Sequence, residues 1–355
     1  MHCHFFIVNV LTLSLSQKTP YAIDSTEKKQ RSSLISASPE PPLSGGGVFG
    51  KSIHSQSSPV GFTDVLTTQT PSASLQDYLR LMRLDRPVGT LLLLWPTLAA
   101  LVMAADGIPP LTLIVIFTVG TFTMRSAGCV INDFADRNVD GAVKRTKDRP
   151  LVTGAINEQQ ALSLFIGLVA GSGVLILFLN TTTQLLAFAG LGLAVIYPFM
   201  KRHTHLPQVV LGAAFSWGIL MAWSAQGLGV PNEAGLLFIG SLFWIVAYDT
   251  EYAMVDRDDD LVVGIKSTAI LFGDLDRLMI CLLQSLALGT WFLLGVSLDY
   301  QNAFFIGLIV ATGLFAYQQR LIRDRSREGC FAAFKNNIWV GVALLTSTLI
   351  EVTLG

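Results

Sequence analysis

Charge is scarce in this chain. Of 355 residues, 14 % are Asp, Glu, Lys or Arg and 51 % are hydrophobic, whereas an ordinary soluble domain carries roughly a quarter charged residues. With a mean hydropathy of +0.54, such a chain belongs in a lipid bilayer. A basic excess is missing too. The 24 Lys and Arg stand against 25 Asp and Glu, a formal net charge of −1, so no nucleic-acid partner is expected, because phosphate backbones require a concentrated basic surface. Cysteine is sparse: Cys3, Cys129, Cys281 and Cys330 form no C-x-x-C pair, which predicts neither a disulfide framework nor a zinc site. The five histidines (His2, His4, His54, His203, His205) offer no ligand spacing.

Two regions differ in composition. Residues 1–74 contain SSLISASPEPPLSGGGVFG and SIHSQSSPVGF, too rich in Ser, Pro and Gly to bury apolar surface, and read as a disordered extension. Its opening HFFIVNVLTL resembles a signal h-region without a basic n-region, which leaves a targeting role and a non-functional start both open. Residues 75–355 form the membrane domain. Nine apolar segments, near 87–105, 110–131, 160–179, 182–200, 207–225, 234–255, 278–297, 302–319 and 334–354, approach the roughly 20 helical residues that cross a hydrocarbon core. Single spans must satisfy their own backbone, so the fold class is all-α, a multi-pass membrane bundle.

Of the eight loops between spans, four carry all the loop cations: Arg137, Lys144, Arg145, Lys147 and Arg149; Lys201 and Arg202; Arg257, Lys266 and Arg277; then Arg320, Arg323, Arg325, Arg327 and Lys335. Arg80, Arg83 and Arg86 precede the first span on the same side, and Arg83, Asp85 and Arg86 at its boundary read as charges that anchor a helix end. The other four, ADGIPP, NTTT, QGLGVPNE and SLDYQ, contain no Lys or Arg. Fifteen against none places the basic loops on the cytoplasmic or matrix side.

Two acidic clusters emerge on that same side. In NDFADRNVD (132–140), a helix brings Asn132, Asp133, Asp136 and Asp140 to one face, at spacings of three, four, seven and eight residues. Like charges so placed repel, and a hard divalent cation relieves them; the alternative is a solvated helix end paired with nearby Arg and Lys. In YDTEYAMVDRDDD (248–260), Asp249, Asp256 and Asp260 share a face in the same way. Magnesium prefers one or two carboxylates plus phosphate oxygens, so the implied ligand is a diphosphate bridged by Mg²⁺. Lys144, Arg145 and Arg149, and Arg202 in MKRHTHLP, lie in loops on that side and can balance its charge, although they also satisfy the loop-charge rule alone. Arg125 lies inside the second span, seven residues before Asn132; it reads either as a functional cation or as a structural partner of an aspartate.

The stretches RLDRPVGTLLLLWPT, GCVINDFADRNVDGAVKRTKDRPL, YPFMKRHTHLPQVVLGAAF, YDTEYAMVDRDDD, GIKSTAILFG and YQQRLI resemble the UbiA superfamily of intramembrane prenyltransferases, from about residue 78 to the C-terminus. The resemblance implies nine transmembrane helices around a central cavity. It also implies that Asp133, Asp136, Asp140, Asp256 and Asp260 hold Mg²⁺ and the diphosphate of a polyprenyl donor, with Asn132 and Asp249 beside them and Arg202 in the active site. A substrate-closing role falls on Lys144, Arg145 and Arg149. The match is densest with members that prenylate 4-hydroxybenzoate in ubiquinone biosynthesis, which makes polyprenyl diphosphate and 4-hydroxybenzoate the expected substrates. Homogentisate, dihydroxynaphthoate, chlorophyllide and haem are the rival acceptors. A cation-coupled transporter is the rival class, but it predicts acids near the midplane and inverted repeats. The implied location is the bacterial or mitochondrial inner membrane. Residues 1–74, with only Arg31 and four acids (Asp24, Glu27, Glu40, Asp64), do not resemble a mitochondrial presequence. Oligomeric state and prenyl chain length are left open.

Overall fold

The structure, a computed structural model, describes residues 73–355 apart from 139, 143 and 144; residues 1–72 of the extension, and Lys144, lie outside the described residues. Ser74 opens helix α1 (Leu75–Leu81) with a reciprocal cap. Its hydroxyl accepts from the Asp77 amide at 3.3 Å, and its own amide donates to the Asp77 carboxylate at 3.0 Å. Bonds from the Ser74 hydroxyl and amide hold the Asp77 carboxyl below its ordinary pKa.

The chain continues through α2 (Val88–Ala105), α3 (Leu111–Asp136), the one-turn α4 (Pro150–Thr153), α5 (Glu158–Ile176), α6 (Thr181–His203), α7 (Pro207–Ala225) and α8 (Asn232–Val263). It ends with the short α9 (Thr268–Phe272), α10 (Asp276–Ser297), α11 (Asn302–Leu321) and α12 (Arg327–Leu354). Among the described residues there is no strand, and nine helices are long and apolar enough to cross a membrane, with α9 and α10 counted as one. The protein is an all-α integral membrane protein, as its hydropathy requires.

Helix α8 is the pillar of the bundle, packed against α7, α10 and α12. Its Trp244 is fully buried and meets Tyr248 and Trp291 edge to face at 5.4 and 5.7 Å, the arrangement that the ring quadrupole favours. The Trp244 indole donates to Asn337 Oδ1 at 2.7 Å, and Asn337 Nδ2 donates to the buried Glu251 at 2.9 Å, so this polar knot ties α8 to α12 with partners for each group named. Helices α2 and α12 cross closely at Gly341, where an added Cβ would lie 2.5 Å from the Trp95 ring.

Two helices stand apart from this core. Helix α5 rests on α3 and α6 rests on α7, but α5 and α6 scarcely touch each other. The gap between them borders the cavity described next.

Candidate active site

A cavity of about 1050 Å³ runs inside the bundle, lined by α2, α3, α5, α6, α7, α8 and two phenylalanines of α12. Along α6 its lining extends from Gln184 to Tyr197, a rise of about 20 Å at 1.5 Å per residue. One end is charged, with Asp133, Asp136, Asp140, Asp249, Asp256 and Asp260 in its wall; the body is apolar, with Leu92, Ile116, Phe117, Leu211 and Met221. Phe188, on α6, lines the cavity and is 66 % exposed.

The first acidic cluster departs from a continuous helix. Helix α3 ends at Asp136, and Asp140 starts a 3-10 turn (Asp140–Ala142). Asp140 returns to the cavity because the Thr146 hydroxyl donates to its carbonyl at 2.7 Å and Arg149 Nη1 donates to its carboxylate at 2.5 Å. The same Arg149 nitrogen is 2.9 Å from Asp133. Arg83 closes on Asp133 from the other side, at 2.9 and 3.0 Å from its two oxygens. Asp133 is 1 % exposed, so these guanidinium groups take the place of water at its carboxyl oxygens.

The second cluster lies on unbroken helix. Asp249, Asp256 and Asp260 all belong to α8 and all line the cavity. Arg145 holds Asp256 by a two-nitrogen grip, Nε at 2.9 and 3.0 Å and Nη2 at 2.6 Å, while its guanidinium carbon sits 4.8 Å from the centre of the Tyr252 ring. Burial opposes the Arg145 charge, but Tyr252 and Asp256 outweigh it and raise its pKa above the ordinary arginine value. On the outer side of the same helix end, Arg327 grips Asp259 at 3.1 and 3.2 Å. That bond helps set the rotation of α8 that turns Asp256 and Asp260 inward.

Arg125 is deeper, seven residues before Asn132 on α3 and hence about 10 Å along the helix axis. Among the described residues no carboxylate hydrogen-bonds to it: Nη1 donates to Cys129 Sγ at 2.9 Å, the group lies 5.3 Å from the centre of the Phe215 ring, and Nε is buried without a partner. Gly89 leaves the room, since an added Cβ there would lie 2.7 Å from Arg125 Nη2. A guanidinium with an unmet donor in an apolar cavity calls for an anion.

The structure thus gathers Asn132 and Asp133 to Asp260, together with Arg125, Arg145 and Arg149, around one cavity. Arg202 stands behind that wall, where its Nη2 donates to the Ala135 carbonyl at 2.6 Å in the last turn of α3, a favourable position for a cation. Arg83 was not among the expected site residues, being one of the charges expected to anchor the first span. Its spacing with Arg80 and Arg86, every third residue at the entry to the first span, is a signal that could have found it.

The UbiA prenyltransferase family profile matches residues 93–341, and the chain belongs to that family. Two relatives, both called 4-hydroxybenzoate octaprenyltransferase, sharpen the placement. The Vibrio cholerae serotype O1 protein is 55 % identical over 275 residues, spanning 78 % of this chain and 97 % of that one. The Chromohalobacter salexigens protein is 58 % identical over 272 residues, spanning 77 % and 91 %. Among solved structures, a UbiA homologue from Aeropyrum pernix in its apo form superposes with a TM-score of 0.67 at 21 % identity, over 75 % of this chain and 98 % of that one. A homologue from Archaeoglobus fulgidus bound to GPP and Mg²⁺ gives 0.59 at 19 % identity, over 76 % and 99 %. These two likenesses concern the fold.

Proposed function

We propose that this enzyme transfers a polyprenyl group from polyprenyl diphosphate to the ring carbon ortho to the hydroxyl of 4-hydroxybenzoate, releasing diphosphate, as a step of ubiquinone biosynthesis. Relatives that cover nearly their whole length at 55–58 % identity carry that activity in their names. The observation in this chain that supports the reading best is the order of groups along the cavity: carboxylates and guanidinium ions at one end, the lone buried Arg125 beside Phe215 further in, and apolar wall beyond. Diphosphate, aromatic carboxylate and isoprenoid tail need that order.

The donor set fits Mg²⁺. It consists of carboxylate oxygens, and among the described residues no three converge into an all-protein cage, which suits an ion that keeps sites for phosphate oxygens. Asp133, Asp136 and Asp140 would hold it from one side and Asp256 and Asp260 from the other. When bound, Mg²⁺ neutralises charge that develops on the diphosphate as the C–O bond breaks. Arg83, Arg145 and Arg149 contact the departing oxygens. We assign the acceptor carboxylate to Arg125 and its hydroxyl to Asp249, which leaves the ortho carbon facing the charged end. There it bonds to the allylic carbon as the C–O electron pair leaves with the diphosphate, the ring proton passes to an oxygen of the released diphosphate, and the apolar wall keeps water from the cation. Arg202 supports Asp136 through the end of α3. The reaction side is the face of the basic loops, cytoplasmic or matrix.

The test is prenylation of radiolabelled 4-hydroxybenzoate by the protein in nanodiscs with a polyprenyl diphosphate and Mg²⁺. Product is expected, and EDTA, Asp136→Ala and Asp256→Ala should each abolish it. Product from homogentisate but not from 4-hydroxybenzoate would overturn the acceptor and keep the fold.

A further inference from the structure

We propose that Trp217 gives this site its preference for long isoprenoid tails, by holding a rigid indole in the cavity wall at a depth that only a long tail passes in full. This rests on the prenyl-donor reading above. Trp217 belongs to α7 and lines the cavity beside Ala187, Gly190 and Leu191 of α6. Counted along α6 from Tyr197 at the charged end, Gly190 is seven residues away and Leu186 eleven, a rise of about 10–16 Å. The ring therefore stands well past the reacting end, in the apolar stretch left for the tail. Beyond it the wall continues through Met221, Leu179 and Gln184, so a long tail runs past the indole and does not end at it.

Three contacts hold the ring in place. Its Nε1 donates to the Leu186 carbonyl at 2.7 Å, which satisfies the one polar atom of an otherwise apolar side chain. Gly190 lies directly beneath, where an added Cβ would be 2.6 Å from Trp217 Cδ1 and 3.2 Å from Cγ and Nε1. From α8, Phe238 meets the indole edge to face, with centroids 6.2 Å apart and planes at 81°. The pyrrole side of the ring is thus seated on the backbone of α6, and the side chain is only half-buried, which leaves surface to the cavity. A leucine or methionine at this place could turn as the tail slid by. An indole bonded to a backbone carbonyl cannot, so its face is a fixed feature of the route.

A remote part of a substrate contributes binding energy only where the wall meets it. An octaprenyl tail passes the whole indole, whereas a geranyl tail reaches its near edge at most. Loss of the ring should therefore be felt in proportion to tail length. A tryptophan that merely spaces α6 from α7 would instead affect donors of every length alike.

The experiment measures binding of radiolabelled geranyl diphosphate and octaprenyl diphosphate, each with Mg²⁺, to the full chain in detergent without any acceptor. Each donor is compared with itself across variants, so partition of the tail into micelles cancels. Trp217→Ala should raise the Kd of octaprenyl diphosphate about ten-fold or more and that of geranyl diphosphate less than about two-fold. Gly190→Ala keeps the indole but pushes it off its seat, and should shift the same ratio in the same direction; it decides the matter if Trp217→Ala does not fold. Gly192→Ala, on the same helix with nothing within 4 Å of the added Cβ, should change neither Kd. Equal weakening of both donors by Trp217→Ala or Gly190→Ala would overturn the proposal, and so would unchanged binding of octaprenyl diphosphate. If wild type binds neither donor, the prenyl-donor reading falls and this proposal with it. With no acceptor present, failure of the 4-hydroxybenzoate assignment is a separate result.

Discussion

Gly89 and Arg125 show how one missing side chain shapes chemistry. Replacing Gly89 by Ala puts a methyl group 2.7 Å from Arg125 Nη2, and the guanidinium must leave its place against Phe215. A hydrogen bond to a charged group contributes roughly 1.5–3 kcal/mol. The expected outcome for Gly89→Ala is therefore a KM for 4-hydroxybenzoate raised about ten-fold or more, with the KM for the prenyl donor changed less than about two-fold. Steady-state kinetics with each substrate varied in turn checks this. Equal rises in both constants would mean that the substitution disturbs the whole cavity. Arg125 was legible in the sequence as a cation inside an apolar run, but its lack of a carboxylate partner was not. That depends on which way neighbouring helices turn. Arg83 misled for a related reason: a cation at a membrane boundary has a sufficient explanation in anchoring, and only the fold brings it to Asp133, fifty positions away.

Helix boundaries follow a similar logic. Hydropathy placed the end of the second span near 131 and of the sixth near 255, yet α3 runs to Asp136 and α8 to Val263. The apolar signal stops at the first acid, but the backbone continues, because inward-facing carboxylates meet arginines instead of lipid. Asp140 was expected on the same helical face, and the chain instead breaks after Asp136 and returns through a turn. Spacing alone cannot distinguish these routes, since Arg149 pulls the carboxylate to the same wall in either case. Packing between elements was the least legible part. The crossing of α2 and α12 rests on Gly341 beneath Trp95, and nothing in an apolar run marks which glycine meets which ring. Gly341→Ala overfills that contact, and such overpacking costs about 1–3 kcal/mol. Thermal unfolding in detergent should show a lower Tm for this variant, while Gly120→Ala, where an added Cβ meets nothing within 4 Å, should leave it nearly unchanged.

For the molecule as a whole, composition gave class and span count, and loop charge gave a common side for both acidic clusters. What remained hidden was the loose seam between α5 and α6, because two equally apolar helices look alike whether or not they touch. Entry of the donor through that seam, beside Phe188 in the cavity wall, would change what concentration means for this enzyme. A donor that enters sideways is counted per lipid and not per litre. Adding inert phospholipid at a fixed total amount of donor, enzyme and buffer should slow the reaction in proportion to the dilution within the bilayer, and restoring the mole fraction of donor should restore the rate. A rate that follows bulk molarity instead would mean that the tail comes in through water. On the lateral route, the enzyme senses the composition of its membrane directly, and any process that crowds or thins the pool of isoprenoid in the leaflet sets its flux without touching the protein.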